Sequence, residues 1–320
     1  MASRPRVVVL ERIHDEGVSL LSEFASVQVI LGLSRTEILG AVRDADALVV
    51  RSVVHVDGEL MDHAPGLRVI GRAGTGLDNI DVDGARLRNV AVVRTPKANA
   101  ESTADYAVAQ MLCLARNFYR AQDFLRQGDF RRHCLTGREL SALTIGIFGL
   151  GNVGRAVARR LRLGFGAHVV GYDPNPAHPD ELHTLVEQVE DPDEVFRRAD
   201  ILTFHTSLGP SSRKLLNQRT LDICKPGVLV VNAARAGVID DDALWAALNS
   251  EKVAAAAVDV LDPEPNYDLP PGTQSYRHPL FLHPNLIFTP HMAASTSDAQ
   301  SRIGRELAHN LRHILIGDNP

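Results

Sequence analysis

Gly149-Leu150-Gly151-Asn152-Val153-Gly154 is the stretch on which the fold turns. Thr144-Ile145-Gly146-Ile147-Phe148 enters it as a strand-like run, and Val153, Ala156, Val157 and Leu161 leave it as a helical apolar stripe. A strand, a G-x-G-x-x-G turn and a helix in that order suit a dinucleotide. The glycines allow a tight turn, close approach of backbone to a pyrophosphate, and close packing of helix on strand. The helix N-terminus then offers unpaired N–H groups and partial positive charge to the anion. Asp173 follows Gly154 by 19 residues, at the end of a strand expected over His168–Tyr172. A carboxylate there accepts from both ribose hydroxyls and repels a 2′-phosphate, which favours NAD over NADP.

Working outward, strand-like and helix-like patterns alternate along the chain, predicting an α/β protein with parallel sheets. Before the turn, strands are expected at Val7–Leu10, Val27–Leu31, Leu48–Val50, Val69–Ile70 and Val90–Val93, with helices near Val18–Phe24 and Thr36–Val42. After it, strands are expected at Ile201–His205, Val228–Asn232, Ala256–Val260 and Leu286–Thr289. One long helix is expected between the halves, from a capping box at Ser102-Thr103-Ala104-Asp105 to a stop at Gly128. Along it Ala107, Met111, Leu114, Phe118, Ala121 and Leu125 recur at spacings of 4, 3, 4, 3 and 4. That seam packs either within its own chain or against a second subunit. Asp262–Pro284 reads as a loop, and a last helix, Ser297–Ile316, returns to the first unit.

Composition narrows the function. The 320 residues suggest about two domains. With 34 Lys+Arg against 39 Asp+Glu the net charge is −5, which gives no reason to expect a nucleic-acid surface. Hydrophobic content of 45% excludes wholesale disorder. No apolar run is long enough to span a bilayer. Three cysteines without metal spacing, and no signal-peptide layout, lead to the expectation of a cytoplasmic protein.

Three segments after the turn carry groups suited to hydride-transfer chemistry. Asn232-Ala233-Ala234-Arg235-Ala236-Gly237 puts a guanidinium just past a strand, where its planar fork matches a carboxylate. Thr289-Pro290-His291-Met292-Ala293 puts an imidazole past another, where it serves as general base or acid. Asp262-Pro263-Glu264-Pro265 follows the strand between them, and a carboxylate near His291 favours the imidazolium.

These segments, with Val50-Arg51-Ser52, the run Gly71-Arg72-Ala73-Gly74-Thr75-Gly76-Leu77-Asp78-Asn79-Ile80-Asp81, Tyr172-Asp173-Pro174, His205-Thr206, Val258-Asp259-Val260 and His291–Thr296, cover almost the whole chain in order. They resemble the D-isomer-specific 2-hydroxyacid dehydrogenase family, and within it the D-3-phosphoglycerate dehydrogenases. The resemblance implies two Rossmann-like, doubly wound parallel-sheet domains with a cleft between them. Residues 1–99 plus 293–320 would form a flavodoxin-like substrate domain, and 100–292 the NAD-binding Rossmann domain. It implies Arg235, Glu264 and His291 as the catalytic set. It assigns NAD contacts to Thr75, Gly149, Gly151, Asn152, Val153, Gly154, Asp173, His205, Thr206, Ala233, Ala234, Arg235, Asp259, His291 and Ala294. It gives the Ala73 and Gly74 amides to the substrate carboxylate, and Arg51 and Arg72 to a substrate phosphate. Family members are usually dimers joined through their cofactor domains, so a homodimer is expected, with the Ser102–Gln127 helix exchanged and Arg131 and Arg132 able to add charge from the partner.

Three departures bear on the substrate. The chain ends at Pro320, without the C-terminal regulatory domain of many phosphoglycerate enzymes, so serine feedback through such a domain is not expected. Twenty-six residues separate Glu264 from His291, and the extra Asn266–Arg277 stretch would lid or reshape the pocket. Ala293 stands where the family often has glycine, tightening the nicotinamide side. The expected function is NAD-dependent hydride transfer to or from a small anionic 2-hydroxy acid, 3-phosphoglycerate-like. A small phosphonate or another D-2-hydroxy acid satisfies the same charges. An NAD(H)-sensing binding protein, as in related corepressors, uses the same fold.

Overall fold

The computed structural model describes residues 4–176, 182–262, 265, 272–273 and 275–317. Two compact units emerge, one containing Met1–Asn99 with Ala294–Pro320, the other Ala100–Pro265 with Gln274–Ala293.

The first unit runs β1 (Arg6–Val9), α1 (Asp15–Phe24), β2 (Ser26–Val29), α2 (Arg35–Ala41), β3 (Ala47–Val50), α3 (Gly58–Asp62), β4 (Val69–Arg72), α4 (Val82–Leu87) and β5 (Ala91–Arg94). Its sheet is parallel throughout in the order β2-β1-β3-β4-β5. A parallel sheet is covered on both faces, so its central strands read as unbroken apolar runs. Val7 and Val9 face one core and Val8 the other. The C-terminal helix, Ser297–Ile316, closes the Val7 face with Leu307 and Leu311. A Cβ on Gly71 of β4 would come within 2.9 Å of the Leu307 side chain, so a larger residue there would push the Leu307 and Leu311 side chains aside. Gly304 of that helix and Gly17 of α1 meet as closely: a Cβ on Gly17 would stand 2.8 Å from the Gly304 Cα.

The second unit runs α5 (Ala100–Ala115), α6 (Phe118–Arg126), β6 (Thr144–Phe148), α7 (Asn152–Arg159), β7 (His168–Tyr172), β8 (Glu187–Gln188), α8 (Pro192–Arg198), β9 (Ile201–Phe204), α9 (Gln218–Ile223), β10 (Val228–Asn232), α10 (Asp241–Asn249), β11 (Val253–Val258) and β12 (Leu286–Phe288). The parallel order is β12-β11-β10-β9-β6-β7-β8. It reverses between β6 and β9, the point where open α/β sheets bind ligands. Ile145 and Ile147 pack with Met111 and Leu161 on one face, while Phe148, Leu202 and Phe204 pack with Phe196 and Leu244 on the other.

The expected long helix is two helices. Asn117 takes φ +57, a left-handed conformation that asparagine tolerates. The cause lies in a crossing loop: the Arg138 N–H takes the Ala115 carbonyl at 2.8 Å, and the Asn117 amide donates to Thr136 at 3.2 Å. The capping box at Ser102 is also corrected, because the helix begins at Ala100 and buries Ser102 and Thr103 within its first turns.

Candidate functional site

The glycine turn is built as a cradle. Gly149 holds φ +89, and a Cβ there would strike the His205 carbonyl oxygen at 2.6 Å. A Cβ on Gly154 would lie 1.9 Å from the Gly149 oxygen, so α7 can sit against the turn only with glycine there. Around Gly151 nothing lies within 4 Å of a Cβ, which leaves open space over the first turn of α7, and Gly151 brings no capping side chain to that turn. Asn152 and Val153 begin the helix. Asp173 is fastened to the turn, accepting the Leu150 N–H at 2.8 Å and the Asn175 N–H at 2.9 Å. Each oxygen thus keeps a lone pair for a further donor.

Across the switch point, His205 follows β9 and donates its N–H to Phe148 at 2.8 Å. Its Nε2 lies 3.0 Å from the Thr203 hydroxyl, while its Nδ1 and the Thr206 Oγ1 are buried without a hydrogen-bond partner. Burial pushes the His205 pKa down to about 4, so the ring is neutral at neutral pH. Buried polar atoms left unpaired beside an open glycine turn fit a polar ligand lying along this edge, as a dinucleotide does.

Two further turns follow β10 and β12. Asn232 is in register with Val258, and Val258 with Phe288, so these turns leave neighbouring strands at one level. The buried Asn232 carboxamide accepts the Ala234 N–H at 3.0 Å and donates to the Arg235 carbonyl at 2.9 Å, closing the turn that carries Arg235. The Arg235 Nη1 donates to the Ala234 carbonyl at 2.7 Å, and Ala233 begins this turn half-buried.

Asp259, fully buried, does the same for His291. Its carboxylate accepts the Thr289 hydroxyl at 2.6 Å, the Met292 N–H at 2.9 Å and the Ala293 N–H at 2.8 Å. Its main-chain oxygen accepts the His291 N–H at 2.8 Å. His291 is thereby held at φ +50, an uncommon conformation for a non-glycine residue. Burial raises the Asp259 pKa, against which the Thr289 hydroxyl and the two peptide N–H groups pull it down. Tyr106 of α5 hydrogen-bonds the Thr289 hydroxyl, and burial holds its phenol well above the ordinary tyrosine range.

In the first unit, the Ala73 N–H donates to Val50 and the Gly74 N–H to Arg72, both at 2.8 Å. The two amides expected to hold a carboxylate thus each donate to a main-chain oxygen here. Gly74 holds φ +143 beneath the Arg72 guanidinium, whose Nη1 donates to the Ala73 carbonyl at 2.7 Å. The next amides, Thr75 and Gly76, have no partner among the described residues, and the Thr75 hydroxyl donates to Asn99 at 3.1 Å. Arg51 is half-buried, and its guanidinium makes no hydrogen bond or ion pair among the described residues. Arg131 pairs with Asp129 at 2.6 Å, so it is not a free charge for a partner's site.

Glu264 lies outside the described residues, as does most of Asn266–Arg277, while Ala294 falls with the first unit. Sequence reasoning quoted Asn232 and Thr289 only as parts of motifs, and it missed Tyr106. A polar residue ending a buried apolar strand is the signal that marks Asn232; no periodicity marks Tyr106. Among the described residues no helix is long and apolar enough to cross a membrane, and no cluster of three acidic, His or Cys side chains is placed to hold a metal ion.

Residues 108–293 match the family model described as D-isomer specific 2-hydroxyacid dehydrogenase, NAD binding domain. The chain is 37% identical to a D-3-phosphoglycerate dehydrogenase of Methanocaldococcus jannaschii over 98% of its own length and 58% of the relative's. It spans little more than half of that protein. It is 38% identical to a hydroxypyruvate reductase of Thermotoga maritima, over 97% of this chain and 98% of that one. Among solved structures it resembles a D-lactate dehydrogenase of Aquifex aeolicus complexed with NAD and lactic acid, with TM-score 0.87 and 25% identity, covering 98% of this chain and 96% of that one.

Proposed function

The chain belongs to the D-isomer specific 2-hydroxyacid dehydrogenase family, and on that premise we propose that it is an NAD-dependent oxidoreductase of a small anionic 2-hydroxy acid, 3-phosphoglycerate-like. One observation carries the reading. The turns bearing Arg235 and His291 leave strands at one level of one sheet, each locked by its own buried polar residue, on the sheet that carries the glycine cradle. Chemistry needing a cation and a base in fixed positions uses that rigidity.

NAD, when bound, supplies the hydride acceptor or donor. The open turn at Gly151, with the N-terminus of α7, receives its pyrophosphate, and the spare lone pairs of Asp173 receive its ribose hydroxyls. Arg235 holds the substrate carboxylate through two parallel hydrogen bonds. On the first unit, the Ala73–Gly76 loop is the one that the resemblance gives to a carboxylate, and its Thr75 and Gly76 amides have no partner among the described residues. In oxidation, His291 takes the hydroxyl proton; in reduction it returns one. Glu264, which lies outside the described residues, is the carboxylate that the family resemblance pairs with His291. Such acid–base help is worth about 10²–10⁴ in rate. Arg51 and Arg72 receive a second anion on the substrate, a phosphate or a phosphonate.

The active form in this reading is a homodimer built through the second unit. α6 buries none of its residues and exposes Phe118 and Leu125 at 53% and 52%, followed by Phe130 at 79%. Exposed aromatic and aliphatic groups in one segment mark an interaction surface.

A screen of 2-hydroxy and 2-oxo acids, plain, phosphorylated and phosphonate, read by NADH absorbance, tests the proposal. Turnover with a dianionic acid is expected. NADH binding without turnover on any of them would replace the enzyme with a dinucleotide-sensing binding protein.

A further inference from the structure

The loops after β1 and β3 flank the point where strand order reverses in the first sheet, the position at which open α/β sheets take ligands. Four consecutive main-chain N–H groups converge there on one carboxylate. Arg51 and Val54 donate to the Glu11 Oε2 at 2.7 and 3.1 Å; Ser52 and Val53 donate to its Oε1 at 3.1 and 3.0 Å. The Asn79 carboxamide closes the stretch from the other side, donating to the Arg51 and Val54 carbonyls at 3.0 and 2.6 Å. Glu11 is 5% exposed and Asn79 7%.

Successive N–H groups folded into a concavity form an anion-binding nest. Here the chain's own side chain fills it. A buried carboxylate is tolerated only where hydrogen bonds or cations satisfy it. Among the described residues no cation pairs with Glu11, so its hydrogen-bonding capacity is committed to this loop. The consequence falls on Arg51. Its N–H is held by Glu11 and its carbonyl by Asn79, so its main chain is fixed on both sides. Its guanidinium is half-buried and makes no hydrogen bond or ion pair among the described residues. A side chain on a pinned backbone loses less freedom on binding a ligand, and its aim is set before the ligand arrives.

We propose that Glu11 is a positioning residue for substrate specificity: by filling the nest it shapes loop 51–54 and aims the Arg51 guanidinium at the second anion of a phosphorylated or phosphonate 2-hydroxy acid. This rests on the reading of Arg51 under Proposed function. Glu11 acts through the loop, so it governs the affinity for the dianionic substrate and leaves NADH binding alone.

The test compares the wild-type chain with Glu11→Gln and Glu11→Asp. The amide of glutamine turns a donor toward two of the four N–H groups, whereas aspartate keeps the charge on a shorter arm. KM and kcat are measured for 3-phosphoglycerate and for D-glycerate, with NADH affinity by fluorescence and amide hydrogen exchange over residues 51–54. In Glu11→Gln, exchange at 51–54 accelerates, and KM for 3-phosphoglycerate rises about tenfold to a hundredfold more than KM for D-glycerate. Turnover numbers and NADH affinity stay near wild type, and Glu11→Asp falls between. Unchanged exchange in both variants overturns the inference, whether or not the chain is a dehydrogenase. Faster exchange with an equal rise in KM for both substrates overturns it too. If the wild-type chain turns over neither acid, the dehydrogenase reading fails separately; calorimetric affinities for the two acids then replace KM and decide the inference by the same split.

Discussion

Asp259 binds the peptide N–H of His291 through its main-chain oxygen and the next two peptide N–H groups through its carboxylate, so one residue holds His291 from both ends of its turn. The imidazole is therefore presented by a buried residue just past the neighbouring strand rather than by its own loop.

Asp259→Asn separates geometry from stability. Asparagine keeps an oxygen for Thr289 and Met292 but turns a donor toward the Ala293 N–H, which loosens the turn. Burial raises the Asp259 pKa, so the native charge is itself a cost to folding that asparagine removes. The melting temperature stays close to wild type while kcat falls by about 10²-fold. Calorimetry and steady-state kinetics on one preparation check the pair.

His291→Ala removes the proposed base outright. Turnover falls by about 10²–10⁴, and NADH affinity, read by fluorescence, changes little. Near-wild-type turnover would rule out His291 as the base.

Two glycine variants respond in opposite ways. Gly151→Ala has free space for its methyl group and keeps its melting temperature, yet places that methyl where the pyrophosphate is expected, weakening NADH binding about tenfold or more. Gly154→Ala puts a methyl 1.9 Å from the Gly149 oxygen and lowers the melting temperature as well as NADH affinity.

His205 contributes a pH dependence with a definite sign. Its folded pKa, about 4, lies below the ordinary 6.5, so between those values the unfolded chain binds the extra proton. Stability from the buried neutral ring is complete above pH 6.5 and lost as pH falls toward 4. His205→Asn removes that portion. The wild-type-minus-variant difference in melting temperature shrinks on acidification from pH 7 to 4.5; a constant difference would contradict the assignment.

If α6 faces a second copy, Phe118→Glu with Phe130→Glu shifts sedimentation from dimer toward monomer while the far-ultraviolet spectrum of each chain is kept.

Much of this was legible in the sequence because parallel α/β folds write their strands as apolar runs and their ligand edge as turn residues. The cradle at Gly149–Gly154 and the turns at Arg235 and His291 declared themselves that way. The break at Asn117 did not, since the 4-3-4-3-4 apolar spacing continues through it, and only a loop arriving from Gly137 and Arg138 takes the Ala115 carbonyl. Amide availability at Ala73 and Gly74 was illegible for a related reason: hydrogen-bond partners chosen by the backbone leave no mark on side-chain identity. Glu11 was hidden because its donors are main-chain groups 40 to 43 positions away.

The Gly17–Gly304 contact, with Leu307 and Leu311 seated on Gly71, sets an order of events during synthesis. Every strand of the first sheet leaves the ribosome by residue 94, but the helix that covers one of its faces follows the whole second unit in the chain. The second unit has its residues in hand earlier and can close as they emerge. Until residue 316 is out, Val7, Val9, Val49 and Val69 have α1 over them but not Leu307 and Leu311, so a chain stalled or clipped before that helix would show chaperones a half-covered apolar sheet face.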